Sequence, residues 1–203
     1  MARDIAPRIL QSTRAINELF DSLFDLTRID AGNYKVRLQH VDVVKLFADL
    51  SLQFEPVAVG KSLRLRTHTR PITLWSDPVV LRRILGNLVS NALRHTHQGG
   101  VLLALRQRED MLVFEVWDTG VGIAREHQQA IFQEFFRVSQ HQGTEDSLGL
   151  GLTIVSKLAS LMGYQLALTS EANRGSVFRV MLPAFTQQEA TGLPEPTVVR
   201  SAA

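Results

Sequence analysis

The chain has 203 residues, 45% hydrophobic and 21% charged, with a formal net charge of +2 and a pI near 9.3. That length holds one domain and a smaller appendage; the apolar content excludes wholesale disorder, and the slight charge excess without a dense Lys/Arg run argues against a nucleic-acid partner. There is no cysteine, no apolar run of transmembrane length and no signal-peptide pattern at the N-terminus, so disulfides and thiolate metal sites are excluded and the expected location is cytoplasmic, whether or not a longer parent protein is membrane-anchored.

Residues 4–31 are predicted to form one helix, with Ile9, Ile16, Leu19, Phe20, Leu23, Leu26 and Ile29 on a single apolar stripe and Gly32 as its stop. Such a stripe calls for a partner helix, from this chain or a second copy, with packing on the rest of this domain as the plainer alternative. The Met1-Ala2 start runs straight into this pattern and reads as a piece of something longer. Residues 33–75 are read as short strands around a helix from Val41 to Phe54, whose inward face is Leu46, Phe47, Leu50 and Phe54. Leu63–His68 alternates as a strand does, and Ile72–Trp75 is a second short strand. Asp77-Pro78 opens the next helix, a side-chain cap followed by proline where a missing N–H is harmless, and the helix runs to about Arg94. After a Gly99-Gly100 turn, Val101–Arg106 and Leu112–Trp117 form a hairpin. The stretch 124–147 is polar around an aromatic knot, Phe132 to Phe136. Leu150–Met162 is a helix ended by Gly163, and Gln165–Ser170 and Val177–Leu182 are strands. From Thr186 to Ala203 periodicity is lost, which predicts a disordered tail or linker.

Three pieces of this pattern carry chemistry. Asn87 and Asn91 lie four apart and share a helix face, with Arg94 close to the same face. Two neutral oxygens can ligate magnesium, which keeps other positions for water and phosphate, and the arginine can meet phosphate oxygens; an ordinary solvated helix face has the same look. Asp118 ends a strand and is followed by Gly120 and Gly122. Its carboxylate can accept from an exocyclic amine while the glycines let backbone approach a flat ring, although a tight turn with a cap reads the same way. Gly149 and Gly151 feed a helix N-terminus, which offers free N–H groups to phosphate or packs closely against a neighbour. Neither a P-loop nor a dinucleotide fingerprint is present.

Order and spacing say more than any piece. The asparagine helix, Asp118-Thr119-Gly120-Val121-Gly122-Ile123, the aromatic knot, Leu148-Gly149-Leu150-Gly151-Leu152 and then Gly175-Ser176-Val177-Phe178 resemble the catalytic ATP-binding domain of sensor histidine kinases of two-component systems. These share a superfamily (the GHKL ATPases) with gyrase, a heat-shock chaperone and mismatch-repair ATPases. The resemblance covers roughly residues 33–183, and Leu26-Thr27-Arg28-Ile29-Asp30-Ala31-Gly32 resembles the end of the second helix of the kinase dimerisation hairpin. It implies an α+β fold of Bergerat type: a two-layer α/β sandwich, its mixed sheet covered on one face by helices and preceded by one long helix. The implied domains are 1–32, a partial dimerisation and phosphotransfer helix; 33–185, the ATP-binding domain; and 186–203, the tail.

The resemblance also implies roles. Asn91 would bind Mg2+, with Asn87 near the metal or phosphates; Arg94 would touch phosphates, and His95 would line the ribose or base side. Asp118 would hold the adenine amine, with Gly120, Gly122 and Ile123 shaping that pocket. Phe132, Phe135, Phe136 and Arg137 match the aromatic box, whose arginine faces the γ-phosphate, so that Asn87, Arg94 and Arg137 would be the catalytic group. Gly149, Leu150 and Gly151 match the phosphate cradle, and 124–148 would be a mobile lid over ATP. Hydrolysing relatives carry a glutamate general base where this chain has Asn87, and an amide cannot take a proton from water at neutral pH. Phosphoryl transfer to a histidine is therefore expected, with slow hydrolysis at most. The implied partners are ATP, the phospho-acceptor histidine domain of the parent, a response regulator or receiver domain, and a second copy of the parent in a homodimer. Ser147 and Asn173 stand where the family often has glycine. No histidine precedes His40 and no acceptor box is present, so this chain is not expected to autophosphorylate; His68, His95, His97, His127 and His141 fit surface or pocket positions better. The competing reading is an inactive, kinase-like protein-binding module, against which the retained asparagines, Asp118, Arg137 and glycines argue.

Overall fold

A computed structural model of the chain describes residues 20, 23, 24, 26–108, 110–136 and 149–183. Of the helix expected over residues 4–31, residues 20, 23, 24 and 26–30 are described and helical; the last stretch is α1 below. Residues 1–19 and the expected tail 186–203 lie outside the described residues. The end of α1 finds its partner within the chain: Leu26 is buried and Ile29 packs against the core.

Val41 belongs to a strand, not to the start of the following helix. β1 (Gln39–Asp42) pairs antiparallel with β3 (Thr73–Ser76) in a small separate sheet, and helix α2 is Val43–Gly60. The cause is local: the Asp42 carboxylate accepts from Lys45 N–H at 3.1 Å, so the helix begins after Asp42. The expected end at Phe54 is also corrected. Pro56 removes one helical hydrogen bond, yet buried Ala58 carries the helix on to Gly60.

α3 (Pro78–His95) starts as its sequence dictates. Asp77 Oδ1 accepts from the N–H groups of Val79 and Val80 at 2.9 and 3.1 Å, with proline at the first helical position. Asp77 Oδ2 accepts from Arg37 N–H at 2.7 Å, which ties the segment after α1 to the same point.

The main sheet has five strands in the order β2 (Arg64–His68), β4 (Gly100–Arg108), β5 (Met111–Asp118), β7 (Gly175–Pro183), β6 (Gln165–Glu171). β2 and β4 are parallel and the other pairs antiparallel, which makes the sheet mixed. One face carries Leu103, Phe114, Val116, Phe178 and Val180, buried beneath α2, α3 and α4 (Gly151–Leu161). Phe47, Ile84, Leu85, Leu88, Ile154 and Leu158 answer from the helices, each at most 1% exposed. Burying such a side chain contributes roughly 1.5–3 kcal/mol, so this interlayer fixes how α3 and α4 stand over the end of β5. The result is the expected α+β, two-layer α/β sandwich with helices on one sheet face. Among the described residues no helix is long and apolar enough to cross a membrane.

Candidate functional site

Leu88, Val89, Ala92 and Leu93 anchor α3 in the core, which leaves Asn87 and Asn91 half-buried along its flank. Asn87 Nδ2 donates to Arg83 O at 2.9 Å. Its Oδ1 faces α4 so closely that a Cβ on Gly151 would lie 3.3 Å away. Asn87 and Gly151, from the two ends of the motif, are therefore neighbours across a helix–helix contact. Arg94 and His95 occupy the last turn of α3. Lys61 Nζ, just past α2, donates to the carbonyls of Leu93 and Arg94 at 2.7 and 3.0 Å and so caps that turn. Burial, and then the charge of Arg94, holds the Lys61 ammonium below the usual lysine range. Sequence reasoning missed Lys61; its signal, one lysine among chiefly arginine cations, is slight.

Asp118 ends β5 beside α3. Its Oδ1 accepts from Gly120 N–H at 2.8 Å. Burial pushes its carboxyl above the usual aspartate range, with hydrogen bonds from the Gly120 N–H and from the Ser176 N–H and hydroxyl acting the other way. The chain then turns tightly against the end of α3: Val121 N–H donates to His95 O at 3.2 Å. Gly122 has φ +64°, and a Cβ there would lie 1.9 Å from Glu171 O, so conformation and space both require glycine. Asn173, where the family often has glycine, takes φ +65° and donates its N–H to Val121 O at 2.7 Å. Asparagine tolerates that conformation, so the departure leaves the turn intact. Ile123 packs against the core and donates its N–H to Ser170 Oγ at 2.8 Å.

The aromatic knot folds as short 3-10 turns, Arg125–His127 and Ala130–Phe132. Phe132 meets Phe178 edge-on at 6.5 Å and Phe136 lies 5.9 Å from the His127 ring, both packed on the core, whereas Phe135 is 60% exposed. Arg137 and the rest of the expected lid, 137–148, with Ser147, lie outside the described residues. The chain returns at Gly149, which stands against the backbone of Phe135 and Phe136. Leu150 is buried and, standing at the N-cap of α4, gives its first turn no side-chain cap among the described residues. Three residues on, Thr153 Oγ1 is buried with no hydrogen-bond partner among the described residues.

α3 thus carries Asn87 against the start of α4 and, at its last turn, His95 against the glycine turn that follows the half-buried Asp118 carboxylate. The uncapped N–H groups suit an anion and the carboxylate suits an amine donor. Among the described residues no cluster of three or more His, Cys, Asp or Glu is placed to hold a metal ion. The oxygen donors on the α3 flank are neutral amides, which fits a cation that arrives with phosphates better than one held by protein ligands alone.

Residues 76–186 match the family model described as histidine kinase-, DNA gyrase B-, and HSP90-like ATPase. The chain is similar to the aerobic respiration control sensor protein ArcB of Escherichia coli, 33% identical over 85% of this chain and 23% of that protein. It is also similar to the sensor histidine kinase RcsC of Escherichia coli, 30% identical over 87% of this chain and 19% of that protein. The chain thus spans a quarter or less of the length of these relatives. Among solved structures, full-length ShkA in complex with AMPPNP superposes with a TM-score of 0.77 at 29% identity, covering 89% of this chain and 38% of ShkA.

Proposed function

Because this chain belongs to the histidine kinase-, DNA gyrase B- and HSP90-like ATPase family, we propose that it is the ATP-binding catalytic part of a two-component sensor histidine kinase. The observation that carries this reading is the meeting of Asn87 with Gly151 at the uncapped start of α4. A helix N-terminus with free N–H groups beside an amide flank is a seat for phosphate and its counter-ion. In this reading Asn91 and Asn87 hold Mg2+, which supplies charge neutralisation for the phosphates when bound. Gly149, Leu150 and Gly151 present backbone to the phosphates, with Arg94 and Arg137 supplying positive charge against them. Asp118 accepts from the adenine amine, and Gly120, Gly122, Ile123, His95, Phe132 and Phe136 shape the base and ribose side. The complex of ShkA with AMPPNP, an ATP analogue bound to a similar chain, supports a triphosphate as the ligand.

Position 87 directs the chemistry. An amide there leaves water without a general base, so the γ-phosphoryl passes to a nucleophile brought from elsewhere. That nucleophile is a histidine in a phospho-acceptor domain of the parent protein, presented in a homodimer, and a response regulator or receiver domain takes the phosphoryl next. Residues 1–32 are the partial dimerisation helix and 33–185 the catalytic domain. The deciding experiment is calorimetric titration of the chain with a non-hydrolysable ATP analogue, with and without magnesium. Binding strengthened by magnesium is the expected result; a folded sample that binds nothing at millimolar ligand refutes the reading.

A further inference from the structure

The face of the five-stranded sheet away from the helices carries an ordered array of arginines. The register places Leu102, Trp117 and Val177 in one row across β4, β5 and β7, and Ala104, Glu115 and Arg179 in the next. Arg106 continues β4 on this face, and on β2 Arg66 and His68 lead into the same two rows. Glu115 is fully buried in the middle, accepting from Arg106 Nε at 2.8 Å, Arg179 Nε at 3.1 Å and Trp117 Nε1 at 3.1 Å, with Arg108 at 3.9 Å. One carboxylate cannot neutralise three guanidiniums, and Arg64 and Arg66 add further charge at the β2 edge. Among the described residues the other acid on the face is Glu171, already paired with Arg174 at 3.0 Å. Among the described residues the face therefore holds a surplus of positive charge, part of it fixed by Glu115, in a chain whose formal net charge is only +2.

We propose that this open sheet face is a docking surface for a carboxylate-rich polypeptide, its arginines set in place by Glu115. Guanidiniums held in a plane match carboxylates in paired geometry, and immobilising them beforehand removes an entropy loss on binding. Arginine with tryptophan is also the composition of protein-interface anchors. Two other polyanions fit less well. Nucleic-acid stacking needs an open aromatic face, and the Trp117 ring is covered by the Arg179 guanidinium 5.7 Å from its centroid. Insertion into a lipid surface needs protruding apolar side chains, and among the described large apolar residues exposed to solvent, Trp117 at 37% is the one on this face.

The test uses the whole chain, with the Trp117 indole N–H as the NMR reporter, titrated at physiological salt with an oligoglutamate peptide, an oligodeoxythymidine and phosphatidylserine vesicles. The peptide is expected to bind and move the Trp117 signal, and Arg64→Gln/Arg66→Gln to weaken it roughly tenfold, as loss of interface charges does. That variant leaves the Glu115 cluster untouched; Arg108→Gln, whose link to Glu115 is long, is the second probe should the first not fold. Tighter binding of the oligonucleotide or vesicles, peptide shifts centred on Gly149–Thr153 instead of β5, or unchanged affinity in both variants overturns the proposal.

Discussion

Lys157 Nζ lies 2.6 Å from Asp30 Oδ1, so α4 is tied directly to the end of α1. Glu134, in the aromatic knot, reaches the same ammonium at 2.9 Å. One lysine thus joins the incoming helix, the flank of the expected lid and the helix whose N-terminus is the proposed phosphate side of the site. Hydrogen bonds from Lys157 to Asp30 and Glu134 outweigh burial and hold its ammonium above the usual lysine range. The sign follows: this contribution is complete below the free-lysine pKa of about 10.4 and is lost as pH rises through the higher folded value. The groups are partly exposed, so Lys157→Met is expected to lower stability by at most about 1 kcal/mol, less as salt is raised. The discriminating readout is local: amides of 26–30 exchange faster in the variant while β5 and β7 amides do not. Unchanged exchange at 26–30 means that Leu26 burial alone holds the helix end.

Asp118 sets stability against affinity. Burial raises its pKa, so the ionised carboxylate weakens the unliganded fold at neutral pH, and that penalty fades as pH falls through the folded value. Asp118→Asn is therefore expected to melt no lower than the parent at pH 7. Asp118→Ala is expected to lose about 1–3 kcal/mol of ATP affinity, the effect of leaving a buried polar partner unmatched. Melting curves and calorimetry on the same samples check both. Unaltered affinity in the alanine variant removes Asp118 from the adenine side.

Asn91 has a metal-specific expectation. Asn91→Ala should reduce nucleotide affinity in magnesium while leaving magnesium-free affinity nearly as it was, because an amide oxygen is a metal ligand and a poor phosphate partner. Titrations with and without the cation separate the two, and equal losses in both end the proposed role.

Much of this was legible because the motif is made of residues whose reasons are local. Asp77 caps and Pro78 follows; Gly122 stands where neither φ nor space admits a side chain; Asn87 and Asn91 are neighbours by helical period alone. The start of α2 was not legible. Val41 suits either element, and its strand partner Leu74 lies far along the chain. Lys61 and Glu115 escaped for the same reason. Nothing near position 61 announces the carbonyls of Leu93 and Arg94, and a glutamate inside an apolar strand looks like an interruption until β4 and β7 bring arginines to it. Arg137 matched the family pattern but lies outside the described residues, so its role rests on resemblance alone.

Glu115 gives the sheet an acid limit. Burial alone would raise its pKa; hydrogen bonds from Trp117 and Arg179 and the charges of Arg106 and Arg179 outweigh it, and the carboxyl lies below the usual glutamate range. A depressed carboxylate contributes stability that is present above the unfolded pKa of about 4.3 and lost as pH falls through the folded value. Glu115→Gln is expected to be less stable at pH 7 by roughly 1–3 kcal/mol, less than for a fully buried ion pair because Arg106 and Arg108 are exposed and rehydrate. The gap to the parent should narrow below pH 4. Denaturant melts at both pH values test this, and a gap independent of pH would mean that packing, not charge, is what Glu115 supplies.

Asp77 joins two kinds of contact in one side chain that is 4% exposed. Oδ1 serves the first turn of α3 and Oδ2 serves Arg37 N–H at 2.7 Å, so each substitution removes a different share. Ser keeps the cap and gives up the link to Arg37, an expected loss of about 1 kcal/mol. Ala gives up both, and the loss should reach about 1.5–3 kcal/mol, the sum of a missing cap and the lost acceptor of the part-buried Arg37 N–H. Asn can keep Oδ1 as the cap but then turns its own N–H groups toward Arg37 N–H, donor against donor. It should therefore fall between Ser and Ala, despite being the closest in shape. Urea melts of the three variants give the order; if Asn proves as stable as the parent, the Arg37 contact adds nothing and α3 alone accounts for Asp77.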